Sequence, residues 1–471
     1  MFDILEKLID EALSLGARYA EARLYRSPSN MIMTVNGNVI RTVQTTDFGY
    51  AMRVIYENGI GFASTNDPES VKDLPKRAIR EAKAAQRDSV RFSEERFEEY
   101  KYKVDEKKPV ADMSTEARIA LLKELDDYIS SGMKLRSQRM IMLHDIIEHR
   151  RYMNSEGAKI ESIIPRVEIF YNFTVLKNGD AESSMSSYGR SGGYEHYERL
   201  RVSDKMREAL IALEKVLEES RPFASGYYDV ILGPEVIGLA SHESCGHPTE
   251  ADRIFGREAA QAGESFIDPE GERRLGKKIG SDVVNVVDDP TVENSFGFYL
   301  YDDEGVKARR RYLYKEGYIN ELLLNREYAA LIDKHSNAAA RSSEFDREPI
   351  PRMANTFVEP QDRKIDEMLE DIKRGIRIES YTEWNIDDMR RNQRYVGTEA
   401  RYIEDGEKKF RVRRPVIELT TKTRRSSIDA VGNDLEFFAA NCGKGDPMQG
   451  VPVYIGGPHV RMRNVYIYPS R

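Results

Sequence analysis

The stretch His242-Glu243-Ser244-Cys245-Gly246-His247 sets two imidazoles five residues apart, with a carboxylate beside the first. Neutral imidazole is a ligand for zinc, and a carboxylate next to such a ligand can serve as general base toward water at the metal. The spacing is one residue wider than that of the HExxH zinc helix. On a regular α-helix, residues four apart lie about 40° apart around the axis and residues five apart about 140° apart. A shared metal therefore demands a wider turn. A π-type turn, bonded i to i+5, brings His242 and His247 onto one face, and such turns concentrate at functional sites. Gly246 and Pro248 suit the distortion: glycine accepts unusual torsions, and proline withholds an amide and crowds the carbonyl four residues back. The pattern predicts His242 and His247 as metal ligands and Glu243 as base. The competing reading is a helix end whose histidines only cap carbonyls.

A catalytic zinc usually has three protein ligands and one open position. Only two cysteines are available, Cys245 and Cys442. Cys442 follows an apolar, strand-like run in "FFAANCGKGDPMQGVPVYIGG" and opens a glycine-rich loop, where Lys444 would favour the thiolate. A buried structural thiol is the alternative. Cys245 is the rival sulfur, but it lies on the turn that must distort, a place for packing behind the site. Asp302, Asp303 and Glu304 before Gly305 read as a turn satisfying local amides, with an acidic metal or amine cluster as the other reading. His144, His149, His196, His335 and His459 lack motif spacing and read as surface or packing residues. Trp384 and the tyrosines read as core and interface residues. Arg352 is a candidate for a peptide carboxylate or an oxyanion, at a place the sequence leaves open.

These side chains need elements to hold them. "GYYDVIL" has the pattern of a buried strand, and Gly233-Pro234-Glu235 opens a helix with proline and an acid in its first turn, so the histidines fall late in that helix. Upstream, Ile4, Leu5, Leu8, Ile9 and Ala12 mark an amphipathic helix stopping at Gly16. Hairpins are expected at Asn36-Gly37 and Asn58-Gly59. Asp67-Pro68 opens a helical stretch that Pro75 kinks or splits. Residues 97–112, highly charged and without apolar period, read as a connector. A helix, strands turning at Ser155-Glu156-Gly157 and Asn178-Gly179, and a second helix fill the stretch to Arg221. The expected fold is α+β and multidomain, mixing helices with antiparallel-rich sheets. Its expected divisions are an N-terminal α+β domain (1–100), a charged connector and middle α+β region (101–220), and a strand-rich catalytic domain (221–471).

With 471 residues, 40% of them hydrophobic, the chain exceeds what one core usually serves. The 72 Lys+Arg against 80 Asp+Glu give a formal charge of −8, without the electrostatic footprint of a nucleic-acid binder. Arg309-Arg310-Arg311, Arg390-Arg391, Arg413-Arg414 and Arg424-Arg425 are interleaved with acids or flank strands, and read as solvated faces or surfaces for acidic groups rather than a DNA site. No apolar run has bilayer length and the N-terminus carries acids within its apolar stretch, so no membrane role and a cytoplasmic location are expected. Both thiols are expected reduced.

"HESCGHPTEAD" resembles the HE-x-x-G-H-x-x-E-A-D signature of the TldD/PmbA family, cytoplasmic metallopeptidases once also described as modulators of DNA gyrase. "DDEG" at 302–305 resembles its acidic turn, "PRMANTFVEP" its PRM-x-N-T stretch and "NCGKG" its late CGK segment. "VNGNVI", "GYAMRV" and "GIGFASTN" extend the likeness over nearly the whole chain. The resemblance implies a TldD/PmbA-like architecture, Zn2+ held by His242, His247 and Cys442, and Glu243 as base. It further implies the motif-bearing subunit, paired as a homodimer or with a motif-lacking paralogue around a narrow channel, acting on short or unfolded peptides. Family sequences follow CGK closely with Gly-Gln, whereas "GKGDPMQG" delays Gln449, which is left without a role. Two other classes stand beside the peptidase. One is a non-catalytic regulatory or scaffold subunit of the gyrase-modulator type, against which Glu243 argues. The other is a metal-dependent hydrolase of non-peptide amides.

Overall fold

The computed structural model describes residues 2–256, 258, 263–268, 271, 274–421, 427–445 and 447–470. Arg424 and Arg425 lie outside the described residues. Asn36 and Gly37 take left-handed torsions (φ 50° and 74°), the pair that matches hairpin twist, and join strand Tyr19–Val35 to Asn38–Tyr56. The next turn falls at Glu57 and Asn58, one residue earlier than Asn58-Gly59, and leads into Gly59–Thr65. Gly59 and Gly61 are there for space. A Cβ on them would come within 1.8 and 1.9 Å of carbonyl oxygens of Ala82 and Ala78, on the helix Leu74–Ala84 that lies against this sheet. Pro75 sits in the first turn of that helix, after a separate 3-10 turn at Pro68–Asp73.

Within 97–112, expected as a connector, Glu99–Lys103 is a strand pairing parallel with Lys159–Lys177. Its side chains are mostly exposed, so charge marks the edge of a sheet, where it blunts unwanted pairing. The sheet has seven strands among the described residues. Tyr19–Val35 pairs in it with Arg136–Asn154, so strands from either side of residue 100 belong to one sheet.

After Arg221 the chain builds two further large sheets. Strand Gly226–Leu232 sits inside the larger, between Val460–Pro469 and Arg374–Ile378. It feeds helix Pro234–Ser241, every residue of which is buried. That helix packs on Gln449–Gly457 of the smaller sheet so closely that a Cβ on Gly238 would meet the Gly456 nitrogen at 2.6 Å. Gln449–Gly457 forms a hairpin with Glu436–Lys444, the strand carrying Cys442. One apolar core runs from helices Thr115–Ser130 and Val202–Glu219 through both of these sheets.

Polar ties join the halves. The Asp302 carboxylate accepts from the amides of Glu304, Val306 and Ala340, as a turn acid does. Asp303 and Glu304, though, are buried against Arg150 and Arg53 from the first sheet. The arginine runs are not simply solvated. Arg311 is fully buried on Asp288, Arg413 and Arg414 pair with buried Glu182, and Arg390 is buried on Glu243. His459 is held between Asp434 and Glu379. No helix among the described residues is long and apolar enough to cross a membrane.

Candidate metal centre

Helix Pro234–Ser241 continues into a π-type turn over His242–Gly246, in which the His247 amide donates to the His242 carbonyl. The two imidazoles consequently meet, with ring centroids 4.8 Å apart and planes nearly perpendicular. The expected reason for Gly246 fails. Its torsions are ordinary (φ −63°, ψ −69°), and what forbids a side chain is Met353, whose Sδ would lie 1.8 Å from a Cβ there. Glycine serves close approach rather than an unusual backbone. Ser244 donates back to the Ala240 carbonyl at 2.5 Å and Thr249 to that of Gly246 at 2.7 Å, which ties down the widened stretch.

Cys442 arrives from a strand 195 positions on and places Sγ 3.5 Å from His247 Nε2. Ligand atoms of His242, His247 and Cys442 all lie within 4.8 Å of one another, and all three residues are buried. Cys245 packs instead in the apolar core, its sulfur beside the Ser244 hydroxyl. The cluster forms part of the wall of a cavity of about 480 Å³, which Glu243, Tyr381 and Trp384 also line.

The donor set fits a metal in its protonation as well as its type. Burial pushes His247 down to about 4, with the Arg390 charge adding to it, and pushes His242 in the same direction. Burial thereby favours the neutral form of both rings, the form that coordinates. Burial alone would raise the Cys442 thiol, but His247 and Arg352 outweigh it and bring the group down to about 7. Lys444 is engaged by acids behind the cluster. Its buried ammonium donates to Asp252 at 2.6 Å and to the Pro351 carbonyl at 2.8 Å, and pairs with Glu250 at 3.2 Å.

Behind His247 stands Glu250, fully buried, 2.9 Å from His247 Nδ1 and 2.6 Å from Arg253 Nε. Burial works against its charge, but Lys444, His247 and Arg253 hold it well below the usual carboxylate range. A carboxylate on Nδ1 fixes the tautomer that leaves Nε2 for a metal, the recurrent support for a metal-bound histidine. Glu250 is not among the residues expected at the site, although its His-x-x-Glu spacing is visible in "HPTE". Arg390 is a second unexpected member. It sits at φ 59° on the turn between Tyr381–Ile386 and Asn392–Gly397, and its guanidinium bonds Glu243 Oε2. Arg352 is not among the residues lining the metal-site cavity. Its buried guanidinium donates to the carbonyls of Cys442 and Gln449, clamping the hairpin that presents the thiol. Gln449 contributes that carbonyl, and its side chain donates to the Glu348 carbonyl.

Comparison with known proteins bears on this arrangement. Residues 225–468 match the PmbA/TldA metallopeptidase C-terminal domain, 108–217 the central domain and 20–85 domain 1. A metalloprotease of Methanothermobacter thermautotrophicus is 30% identical over 95% of each chain. One of Methanocaldococcus jannaschii is 31% identical over 97% of this chain and 98% of its own. A zinc metalloprotease TldD homolog of Saccharolobus solfataricus is 25% identical over 98% and 99%. Among solved structures, TldE from Thermococcus kodakarensis superposes with a TM-score of 0.79 at 17% identity, covering 98% of this chain and 99% of that one. That likeness shows the fold alone.

Proposed function

The chain belongs to the PmbA/TldD metallopeptidase family, and on that premise we propose that it is a zinc peptidase hydrolysing short or unfolded peptides, with Glu243 as general base. The observation that carries this reading is the meeting of His242, His247 and Cys442 in the wall of a cavity that Glu243 also lines. Two imidazoles and a thiolate suit zinc, and the name of the Saccharolobus relative points to the same ion. These three residues would hold it, with Glu250 and Arg352 as their supports. When bound, zinc supplies a Lewis acid that acidifies water and polarises a carbonyl.

Proton transfer is the part of Glu243. With Oε2 on Arg390, Oε1 is the atom that takes a proton from the attacking water and passes it to the departing amine. Arg390 holds the carboxylate in one orientation within a buried site. The strands beside the cavity support an extended substrate. Asp180–Ser191 and Glu436–Lys444 each stand at a sheet edge and contribute lining residues, among them Ser187 and Asn441. An edge strand can add main-chain hydrogen bonds to an extended peptide, whereas a folded domain has its own backbone already paired. A second subunit, identical or a motif-lacking paralogue, would complete the enclosure.

Mass spectrometry of products from a mixed library of unfolded peptides, run beside small amides, tests the reading. Peptides should be cleaved and small amides spared, with cleavage lost on chelation and restored by zinc. Hydrolysis of amides without peptides would make the protein an amidase. Neither activity in zinc-loaded protein would make it a regulatory subunit.

A further inference from the structure

The helix that ends in the histidine cluster carries another acid, which the chemistry above does not use. Glu235, in its first turn, is 8% exposed. It precedes His242 by seven residues, about 20° short of two full turns, so Glu235, Leu239 and His242 share a helix face. All three line the 480 Å³ cavity. Seven residues of helix rise by about 10 Å, roughly the span of three residues of extended chain. A neighbouring cavity of about 450 Å³ also reaches Glu235, and Phe438 borders both. The carboxyl therefore stands where the two spaces meet.

Three acids line the metal-site cavity, and two are already engaged. Glu243 is bound to Arg390. Glu168 accepts from the Ser187 hydroxyl at 2.7 Å and from the Asn441 amide at 3.0 Å. Among the described residues Glu235 forms no ion pair: nearby Lys205 is taken by Glu436, and Arg377 by Glu379. Burial pushes the Glu235 carboxyl up to about 7, and the Ser186 hydroxyl and the charge of Lys205 offset it only in part. Lys205, Arg377, Arg401 and Lys408 also line the neighbouring cavity, but among the described residues none forms an ion pair with Glu235, and a buried carboxylate without a bonded cation is costly on its own and gains most when a ligand supplies one.

We propose that Glu235 is a specificity residue of this site, receiving a cationic group of the peptide, either its α-amino group or a lysine or arginine side chain, about three residues from the bond at the metal. This rests on the peptidase reading above. Leu239, between Glu235 and the metal cluster on the same face, leaves an apolar wall for the intervening residues.

Peptide binding to zinc-loaded Glu243→Gln protein, followed by fluorescence anisotropy, tests the pocket without turnover. The probes are short unfolded peptides with one lysine moved through successive positions, their norleucine counterparts, and each peptide with a free or an acetylated amino terminus. One register should bind about 10- to 100-fold more tightly than its neutral counterpart, the worth of a charged hydrogen bond. Adding Glu235→Gln should bring the two to within about twofold. Acetylation and norleucine separate an α-amino ligand from a side chain. The preference in protein unaltered at 235 does not depend on how the second substitution folds. Charged and neutral peptides bound equally would overturn the pocket alone, as would a preference that survives Glu235→Gln. Failure to bind any peptide would overturn the peptidase reading with it.

Discussion

Glu243→Gln is expected to lower peptide turnover by about 10²- to 10⁴-fold, the usual worth of general acid–base catalysis, while metal content stays unchanged. Glutamine keeps the size of the side chain, and its amide oxygen can still accept from Arg390, which bonds Oε2 of the native residue. What it loses is a site for a proton. Glu243 is outside the set of ligand atoms that cluster within 4.8 Å, so its replacement should spare the metal. Turnover and elemental analysis on one preparation separate the possibilities. Metal lost together with activity would make Glu243 a ligand, and nearly unchanged turnover would remove it from the chemistry.

Cys442→Ala is expected to weaken metal binding by more than the roughly 10- to 100-fold that loss of an outer-shell partner costs, because it removes one of the three proposed ligands. Cys245→Ala should leave metal affinity close to native. The contrast is a matter of position. Cys442 lies beside His247 Nε2 on a hairpin clamped by Arg352, whereas Cys245 is enclosed in the core and can lose its sulfur only at a cost in packing. Competition with a chromophoric chelator measures the first effect and thermal unfolding the second. Equal loss of metal by the two variants would contradict the assignment.

The π-type turn is legible in the sequence because five-residue spacing leaves a helix few other ways to bring two histidines together. The role of Gly246 is not, since the group that forbids a side chain there is Met353, more than a hundred residues away. Cys442 shows the same limit. Its local pattern suits a packed thiol as well as a ligand, and only the fold brings it to His247. The resemblance of "NCGKG" names it where the residues alone leave the choice open. Lys444 shares the inward face of its strand with Cys442, but the acids Glu250 and Asp252, distant in sequence, bind its ammonium, which nothing local foretells. Arg390 looks like half of a solvated pair, because nothing local says which of two adjacent arginines turns inward. The strand Glu99–Lys103 escapes notice for a related reason: an edge strand with exposed charges has no apolar period to read. Hairpin turns, by contrast, depend on a few adjacent residues, and Asn36-Gly37 and Asn178-Gly179 stand where those residues put them.

Two imidazoles and the Cys442 thiolate are proposed to hold one zinc. X-ray absorption at the zinc edge of the purified protein measures this directly. The predicted first shell contains one sulfur at about 2.3 Å and nitrogen or oxygen neighbours at about 2.0–2.1 Å, with the sulfur lost in Cys442→Ala and kept in Cys245→Ala. A zinc shell of nitrogen and oxygen alone in the native protein would contradict it.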